Sequence, residues 1–122
     1  MLEIRVEIEK QLAKDFFESQ GSHCDISDKL VMCAYDGGTL VGAGAVSMTS
    51  QETSIEEICC PEGLELALGK ALLNTLDLGG IKKVHCRQPR LFALAKRLGF
   101  KSSLDDSCME LSLDGYFTGG CH

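Results

Sequence analysis

Residues 55–100 read IEEICCPEGLELALGKALLNTLDLGGIKKVHCRQPRLFALAKRLGF, and this stretch decides the fold. Its pattern predicts a strand, a helix over Leu64–Leu78 that ends at Gly79-Gly80, a strand over Ile81–Arg87 and a second helix that ends at Gly99. A strand that leads directly into a helix leaves backbone N–H groups without partners at the helix start. These groups and the helix dipole favour an anion, typically a phosphate. The layout therefore suggests a nucleotide-type cofactor site.

The residues before this stretch predict more strands and one more helix. Alternating apolar residues predict a first strand over Leu2–Val6. The four-residue spacing of Ile8, Leu12 and Phe16, with Ala13 and Phe17 beside them, predicts an amphipathic helix that ends near Gly21. Two β-rich runs then flank Asp36-Gly37-Gly38, which predicts a hairpin because glycine accepts a positive φ at little cost.

The residues after it complete a single predicted domain. A loop is expected over Lys101–Ser107 and a last strand over Met109–Leu113. We expect one domain over residues 1–122 of the α/β (α+β) class, with a mixed, mostly antiparallel sheet flanked by helices. The segment from Ile55 to Arg87 should form a right-handed parallel crossover within that sheet. Residues 118–122 are expected to be a flexible tail.

Composition and charge narrow the function classes. The chain has 122 residues and a net charge of -6, and its basic residues occur in small groups without a long basic stripe. This argues against nucleic acid as the main partner. No apolar run reaches the roughly 18 residues that a membrane span needs, so no membrane partner is expected. The start of the chain does not resemble a secretion signal, and we expect a cytoplasmic protein.

The chain is rich in cysteine, with seven thiols, an odd number that favours free thiols in a reducing cytoplasm. Four Cys/His doublets carry side chains suited to zinc, iron or copper: His23-Cys24, Cys59-Cys60, His85-Cys86 and Cys121-His122. Neighbours on a strand point to opposite faces, so each doublet offers one ligand to a given site. We expect no metal, and a Cys/His metal or thiol-redox site is kept as the alternative.

From Leu30 to Leu113 the chain resembles the GNAT family of acyl-CoA-dependent N-acetyltransferases. The hairpin CAYDGGTLVG, residues 33–42, resembles the family's Asp-Gly hairpin, and Pro61 follows an apolar strand as it does in that family. Residues 64–69 fall where the family has an Arg/Gln-x-x-Gly-x-Gly/Ala loop that grips the pyrophosphate of coenzyme A. Gln88 to Phe100 is similar to the second cofactor-contacting segment, a helix ending in Leu-Gly-Phe.

The resemblance implies a fold, a cofactor and a set of contacts for it. It implies acetyl-CoA as acyl donor. Backbone N–H groups at the end of the strand before Pro61 would polarise the thioester carbonyl, and the start of the next helix and the residue at position 88 would hold the cofactor. On this chain the implied cofactor contacts are Ile58, Cys59, Cys60, Leu64, Glu65, Leu66, Ala67, Leu68, Gly69, Lys70 and Gln88.

The cofactor motif departs from the family pattern at several positions. Leu64 replaces the Arg or Gln, and Ala67 replaces the first glycine. Glu65 places a negative charge where phosphates would lie, and an unpaired like charge there opposes binding. Ala95 falls where many members carry a tyrosine that protonates the departing thiolate.

Acetylation of an amine needs a neutral amine, a polarised thioester and a proton donor for the sulfur. Glu56 or Glu57 is the candidate base, because strand alternation should turn one of the two into the cleft. Tyr116 is the candidate acid, with Cys86 and Cys108 as the other donors.

Two hypotheses follow. The first is an N-acetyltransferase that acts on a small-molecule or protein amine; the second is a catalytically degenerate GNAT-like binding module with a Cys/His metal or thiol-redox role. The resemblance also implies a homodimer paired through the last strands.

Acyl transfer requires two neighbouring strands to diverge and the backbone N–H groups ahead of Leu64 to be free. Strands paired along their length, or a carboxylate that fills the site formed by those N–H groups, would rule out acyl transfer and leave only the fold.

Overall fold

The computed structural model describes residues 1–103 and 107–117, so the predicted tail at 118–122 lies outside the described residues. Seven strands form one sheet in the order β1-β2-β3-β4-β5-β7-β6. The strands are β1 Leu2–Val6, β2 Leu30–Asp36, β3 Thr39–Met48, β4 Thr53–Cys59, β5 Lys83–Cys86, β6 Lys101–Ser102 and β7 Met109–Ser112. The helices are α1 Gln11–Ser19, α2 Glu65–Leu78 and α3 Phe92–Leu98, with a short 3₁₀ turn at Pro89–Leu91 before α3.

The predicted α/β class and the mostly antiparallel sheet are confirmed. All neighbouring strands are antiparallel except β4 and β5, which are parallel and joined through α2. The hairpin between β2 and β3 turns at Gly37 and Gly38, whose φ angles are 61° and 88°. Both values lie in the left-handed region, which explains why glycine occupies both positions.

Two local predictions were wrong. Helix α1 begins at Gln11, and its buried residues are Ala13 and Phe17, whereas Ile8 and Leu12 are 92% and 60% exposed. Both sets have the same four-residue spacing, which does not reveal which of two adjacent stripes faces the core. The loop predicted from Lys101 begins with the two-residue strand β6, which is too short to show a period.

The two faces of the sheet are covered unequally. Helices α2 and α3 pack on one face, where Leu68, Leu72, Leu73 and Leu76 of α2 are fully buried or nearly so. The other face is covered by α1 over β2 and β3, with Phe17 at the centre of a smaller cluster. The end of β4 lies beyond this cluster, at the candidate site described below.

Gly42 allows the end of β4 to lie close to β3. A Cβ at this position would lie 2.7 Å from Cys60 Cβ and 3.4 Å from the backbone oxygen of Cys59. These atoms belong to the backbone or lie next to it, so they can give little. The glycine therefore fixes the position from which the chain turns toward α2.

Substitution of Gly42 tests this contact. We expect Gly42→Ala to lower the free energy of unfolding by about 1–3 kcal/mol, because overpacking forces the backbone to shift. Gly79→Ala is the matched control, since its φ is -83° and its nearest contacts are at an ordinary 3.5 Å. Urea unfolding of both variants measures the difference. Equal stability of the two would contradict the close approach of Cys60.

Candidate active site

Strands β4 and β5 diverge soon after they meet. They pair at two positions, Ser54 with His85 and Ile55 with Cys86. β5 ends at Cys86, whereas β4 continues to Cys59. Among the described residues, positions 56–59 therefore pair only with β3. The divergence that acyl transfer requires is present.

A β-bulge at Glu56 shapes this part of β4. Ile55 pairs with Val46 and Glu57 pairs with Ala45, so Glu56 is the extra residue between two consecutive partners. Because a bulge interrupts the alternation of side chains, both Glu56 and Glu57 line one cavity. The prediction that only one of them would face the cleft was wrong for this reason.

The cavity lies between β4, the connector after α1 and the turn before α3. Its volume is about 710 Å³. The described residues that line it are Gln20, Gly21, Ser22, His23, Cys24, Asp25, Lys29, Glu56, Glu57, Ile58, Cys59, Gln88, Arg90 and Leu91. The cavity thus brings together five of the predicted site residues: Glu56, Glu57, Ile58, Cys59 and Gln88.

Glu57 is buried, with 5% of its surface exposed, and its carboxylate is well satisfied. Oε2 accepts hydrogen bonds from Ser22 Oγ at 2.6 Å and Arg90 Nη2 at 2.7 Å. Oε1 accepts one from the backbone N–H of Ile58 at 3.1 Å. Most of its acceptor capacity is therefore used within the protein.

Arg90 spans the gap between the two diverging strands. Besides its ion pair with Glu57, Nη2 donates to the backbone oxygen of Glu56 at 3.2 Å. The N–H of Ile58 and the C=O of Glu56 are thus both engaged by the Glu57–Arg90 pair. Neither Arg90 nor Ser22 was among the predicted site residues, and nothing in the sequence indicates Ser22.

Glu56 is the less occupied of the two carboxylates. It is half-buried, and Oε2 accepts a single long hydrogen bond, 3.5 Å, from Ser47 Oγ. It therefore has more acceptor capacity left for a substrate proton than Glu57 does.

The three predicted acids lie elsewhere. Tyr116 donates its hydroxyl to the backbone oxygen of Leu98 at 2.6 Å, next to the end of α3, and burial raises the pKa of this phenol. Cys86 lies in the core, with Sγ 3.9 Å from the backbone oxygen of Gln88, and Cys108 is likewise buried. None of the three is among the residues that line the cavity.

The start of α2 binds an anion, and the anion is the chain's own. Glu65 Oε2 accepts the backbone N–H of Gly63 at 2.9 Å, and Oε1 lies 3.2 Å from Arg97 Nη1. The bond to its own backbone N–H, with those from Arg97 and Gly63, lowers the pKa of Glu65. A carboxylate of the chain therefore already occupies part of the N–H site ahead of α2, which counts against acyl transfer as long as Glu65 stays there.

Most of the other implied cofactor contacts lie in one of two environments. Ile58, Cys59 and Gln88 line the cavity. Leu64, Leu66 and Ala67 lie at the α2 start, where no side chain caps the helix, and Lys70 is exposed one turn further on.

Three implied contacts pack inside the protein. Leu68 is buried in the core, and a Cβ on Gly69 would lie 2.8 Å from Leu98 Cδ1, so Gly69 allows α3 to pack against α2. Cys60 packs against Gly42. Leu68 and Gly69 can contribute little beyond their backbone to a ligand.

The thiols of the described residues are free. Burial raises the pKa of both Cys33 and Cys59 to about 11, which keeps these thiols protonated at neutral pH. In residues 1–103 and 107–117, no three His, Cys, Asp or Glu side chains are placed to hold a metal ion. Cys121-His122 lies outside the described residues.

Comparison with known proteins identifies the fold. No family model matches the sequence, and no curated protein matches it. Among solved structures, the ribosomal-protein-S18-alanine N-acetyltransferase from Escherichia coli is 15% identical, with a TM-score of 0.66 over 93% of this chain and 94% of that one. An N-acetyltransferase from Staphylococcus aureus Mu50 is 12% identical, with a TM-score of 0.73 over 93% and 99%.

A third structure carries a ligand. A GNAT family acetyltransferase from Elizabethkingia anophelis with acetyl-CoA bound is 12% identical, with a TM-score of 0.66 over 91% of this chain and 97% of that one. The chain therefore has the fold of the GNAT acetyltransferases, as the sequence motifs predicted. In the described part of the chain, no helix combines the length and apolar character of a membrane span.

Proposed function

We propose that this chain transfers an acetyl group from acetyl-CoA to an amine. The observation that carries the proposal is the divergence of β4 from β5 at a bulge, over a cavity that holds two carboxylates. The fold, shared with an acetyltransferase that has acetyl-CoA bound, supports the same assignment by analogy.

The chain offers groups that fit the acyl donor. The N–H groups at the α2 start hold the Glu65 carboxylate, and they would hold a phosphate for the same electrostatic reason. Arg97 already pairs with that carboxylate and would pair with a phosphate once Glu65 turns away. The backbone of residues 56–59, with Gln88, would hold the remainder of the donor. When bound, acetyl-CoA supplies an activated thioester.

The carboxylates in the cavity would serve the amine. We assign Glu56 as the group that removes the proton of the acceptor ammonium, directly or through a water, because its acceptor capacity is the freer of the two. Glu57 positions Arg90 and the connector through Ser22. Engagement of the donor along β4 would require the Glu57–Arg90 pair to release the Ile58 N–H and the Glu56 C=O.

Glu65 provides a test of donor binding. We expect Glu65→Gln to tighten acetyl-CoA binding about 3- to 10-fold, because it removes a like charge from the phosphate site and replaces a charged competing acceptor by a weaker, neutral one. Glu62→Gln is the matched control, since it makes the same charge change on an exposed loop residue three positions earlier. Arg97→Gln should weaken binding. Isothermal titration calorimetry of the purified protein measures all three.

A direct assay completes the test. Wild-type protein saturated at a hundred times the dissociation constant of acetyl-CoA should gain about 2.7 kcal/mol of stability. Release of free thiol from acetyl-CoA in the presence of a panel of amines then measures turnover. If neither wild type nor Glu65→Gln binds millimolar acetyl-CoA, the proposal is wrong.

A second function is favoured by the same contacts. The Glu65 carboxylate at the α2 start and the Glu57–Arg90 pair across the gap satisfy groups that a bound donor would use. These contacts favour a GNAT-like binding module that has lost the chemistry. Such a module would show no thiol release with any amine.

A further inference from the structure

Among the described residues, strand β1 is the outer strand of the sheet, and its outer edge presents a regular row of backbone groups. The N–H of Glu7 donates to the C=O of Val31 at 2.9 Å, and the C=O of Met1 accepts the N–H of Gly37 at 3.2 Å. Backbone N–H and C=O groups alternate between the two edges of a strand. Those of the odd-numbered residues therefore bond to β2, and those of the even-numbered residues are directed to the opposite edge of β1. The even-numbered residues thus offer N–H and C=O groups to another strand.

The side chains of β1 are sorted between the two faces of the sheet. Leu2, Ile4 and Val6 share one face, where Ile4 packs against the main core and Leu2 and Val6 are 41% and 40% exposed. Glu3 and Arg5 share the other face, where the Arg5 guanidinium contacts Glu3 at 2.6 Å. An exposed edge strand with an apolar face is a surface that tends to associate.

The sequence of this edge is complementary to itself. We propose that two copies of this chain pair through β1, antiparallel, with the two-fold axis at Ile4. In this register Ile4 lies opposite Ile4 of the second copy, Leu2 lies opposite Val6, and Glu3 lies opposite Arg5. The residues directly opposite at the axis are even-numbered, so their outward N–H and C=O groups bond to each other.

The charges of Glu3 and Arg5 favour this register over the two neighbouring registers. Moving the axis to Glu3 places two glutamates opposite each other, and moving it to Arg5 places two arginines opposite each other. Like charges directly across a strand pair are destabilising, whereas opposite charges stabilise it. The interface is isologous, as in most homodimers, and joins two sheets into one.

The opposite edge of the sheet fits such pairing less well. There the outer strand is β6, which has two residues, Lys101–Ser102. Among the described residues, β1 is therefore the longer of the two edge strands and the one whose sequence is complementary to itself. The resemblance to GNAT proteins had implied the last strands instead. The proposal does not depend on the proposed acetyltransferase activity.

Charge reversal provides the test, by sedimentation equilibrium over a wide concentration range. Wild type should show a concentration-dependent dimer. E3R and R5E should each weaken self-association at least about 10-fold, because each places two like-charge pairs across the interface. An equimolar mixture of E3R and R5E should dimerise like wild type, and so should the double variant E3R/R5E.

Two further measurements separate the interface from folding. Ile4→Pro removes an outward N–H without removing a β1–β2 bond, and it should also give a monomer. Arg5 also contacts the Tyr35 ring, at 4.2 Å from its centroid, so circular dichroism must show that R5E is folded. A wild type that stays monomeric, single variants that dimerise as wild type does, or a mixture of E3R and R5E that stays monomeric would overturn the proposal.

Discussion

Glu56→Gln is expected to lower kcat/KM for amine acetylation about 100- to 10,000-fold, the usual contribution of a positioned acid or base. The carboxylate lies at the bulge of β4, lines the cavity and makes one 3.5 Å hydrogen bond, so its loss should cost little stability. The measurement is steady-state thiol release across pH, together with urea unfolding of the same preparation.

Two controls make the Glu56 result specific. Glu62→Gln changes the same charge on an exposed residue outside the cavity and should leave kcat/KM unchanged. The wild-type rate should rise with pH, because acetylation needs a neutral acceptor amine, and Glu56→Gln should stay slower than wild type at each pH. A variant that keeps both the wild-type rate and its pH dependence would show that Glu56 is not the base.

The fold could be predicted from the sequence because its elements have clear periods. Alternation over Leu2–Val6, the leucine stripe of α2 and the Asp36-Gly37-Gly38 turn each correspond to an element of the structure. Boundaries and faces were harder, since Ile8 and Phe17 both continue four-residue patterns and only packing decides which is buried.

The site could be predicted only in part. Glu56, Glu57, Ile58, Cys59 and Gln88 do line one cavity. The bulge that places the two carboxylates together depends on how β4 pairs with β3, and one sequence does not reveal the register of that pairing.

The partners of the site residues were missed for a related reason. The contacts of Ser22 and Arg90 with Glu57 join residues 35 and 33 positions apart. The contact of Arg97 with Glu65 joins residues 32 positions apart. Periodicity and motifs describe neighbours in sequence, so they indicate that a basic residue exists but not which carboxylate it meets.

Arg90→Ala is expected to lower the free energy of unfolding by about 1–3 kcal/mol, because it leaves the buried Glu57 carboxylate without its cationic partner. The Arg90 side chain is 51% exposed and that of Glu57 is 6% exposed, so the cost comes mainly from the buried group. Urea unfolding at neutral pH measures it. The double variant Arg90→Ala/Glu57→Gln should be more stable than the sum of the two single changes predicts, because both act on one contact.

Arg87→Ala is the matched control for burial. Arg87 is also 51% exposed and makes two hydrogen bonds to Glu52, at 2.6 and 2.8 Å, but the Glu52 side chain is 28% exposed. A pair that solvent reaches contributes about 0–1 kcal/mol, so this variant should lose less stability than Arg90→Ala. If the two variants lose the same amount, burial of Glu57 does not set the strength of the Arg90 contact. In that case release of the pair by an arriving ligand would cost no more than breaking a surface ion pair.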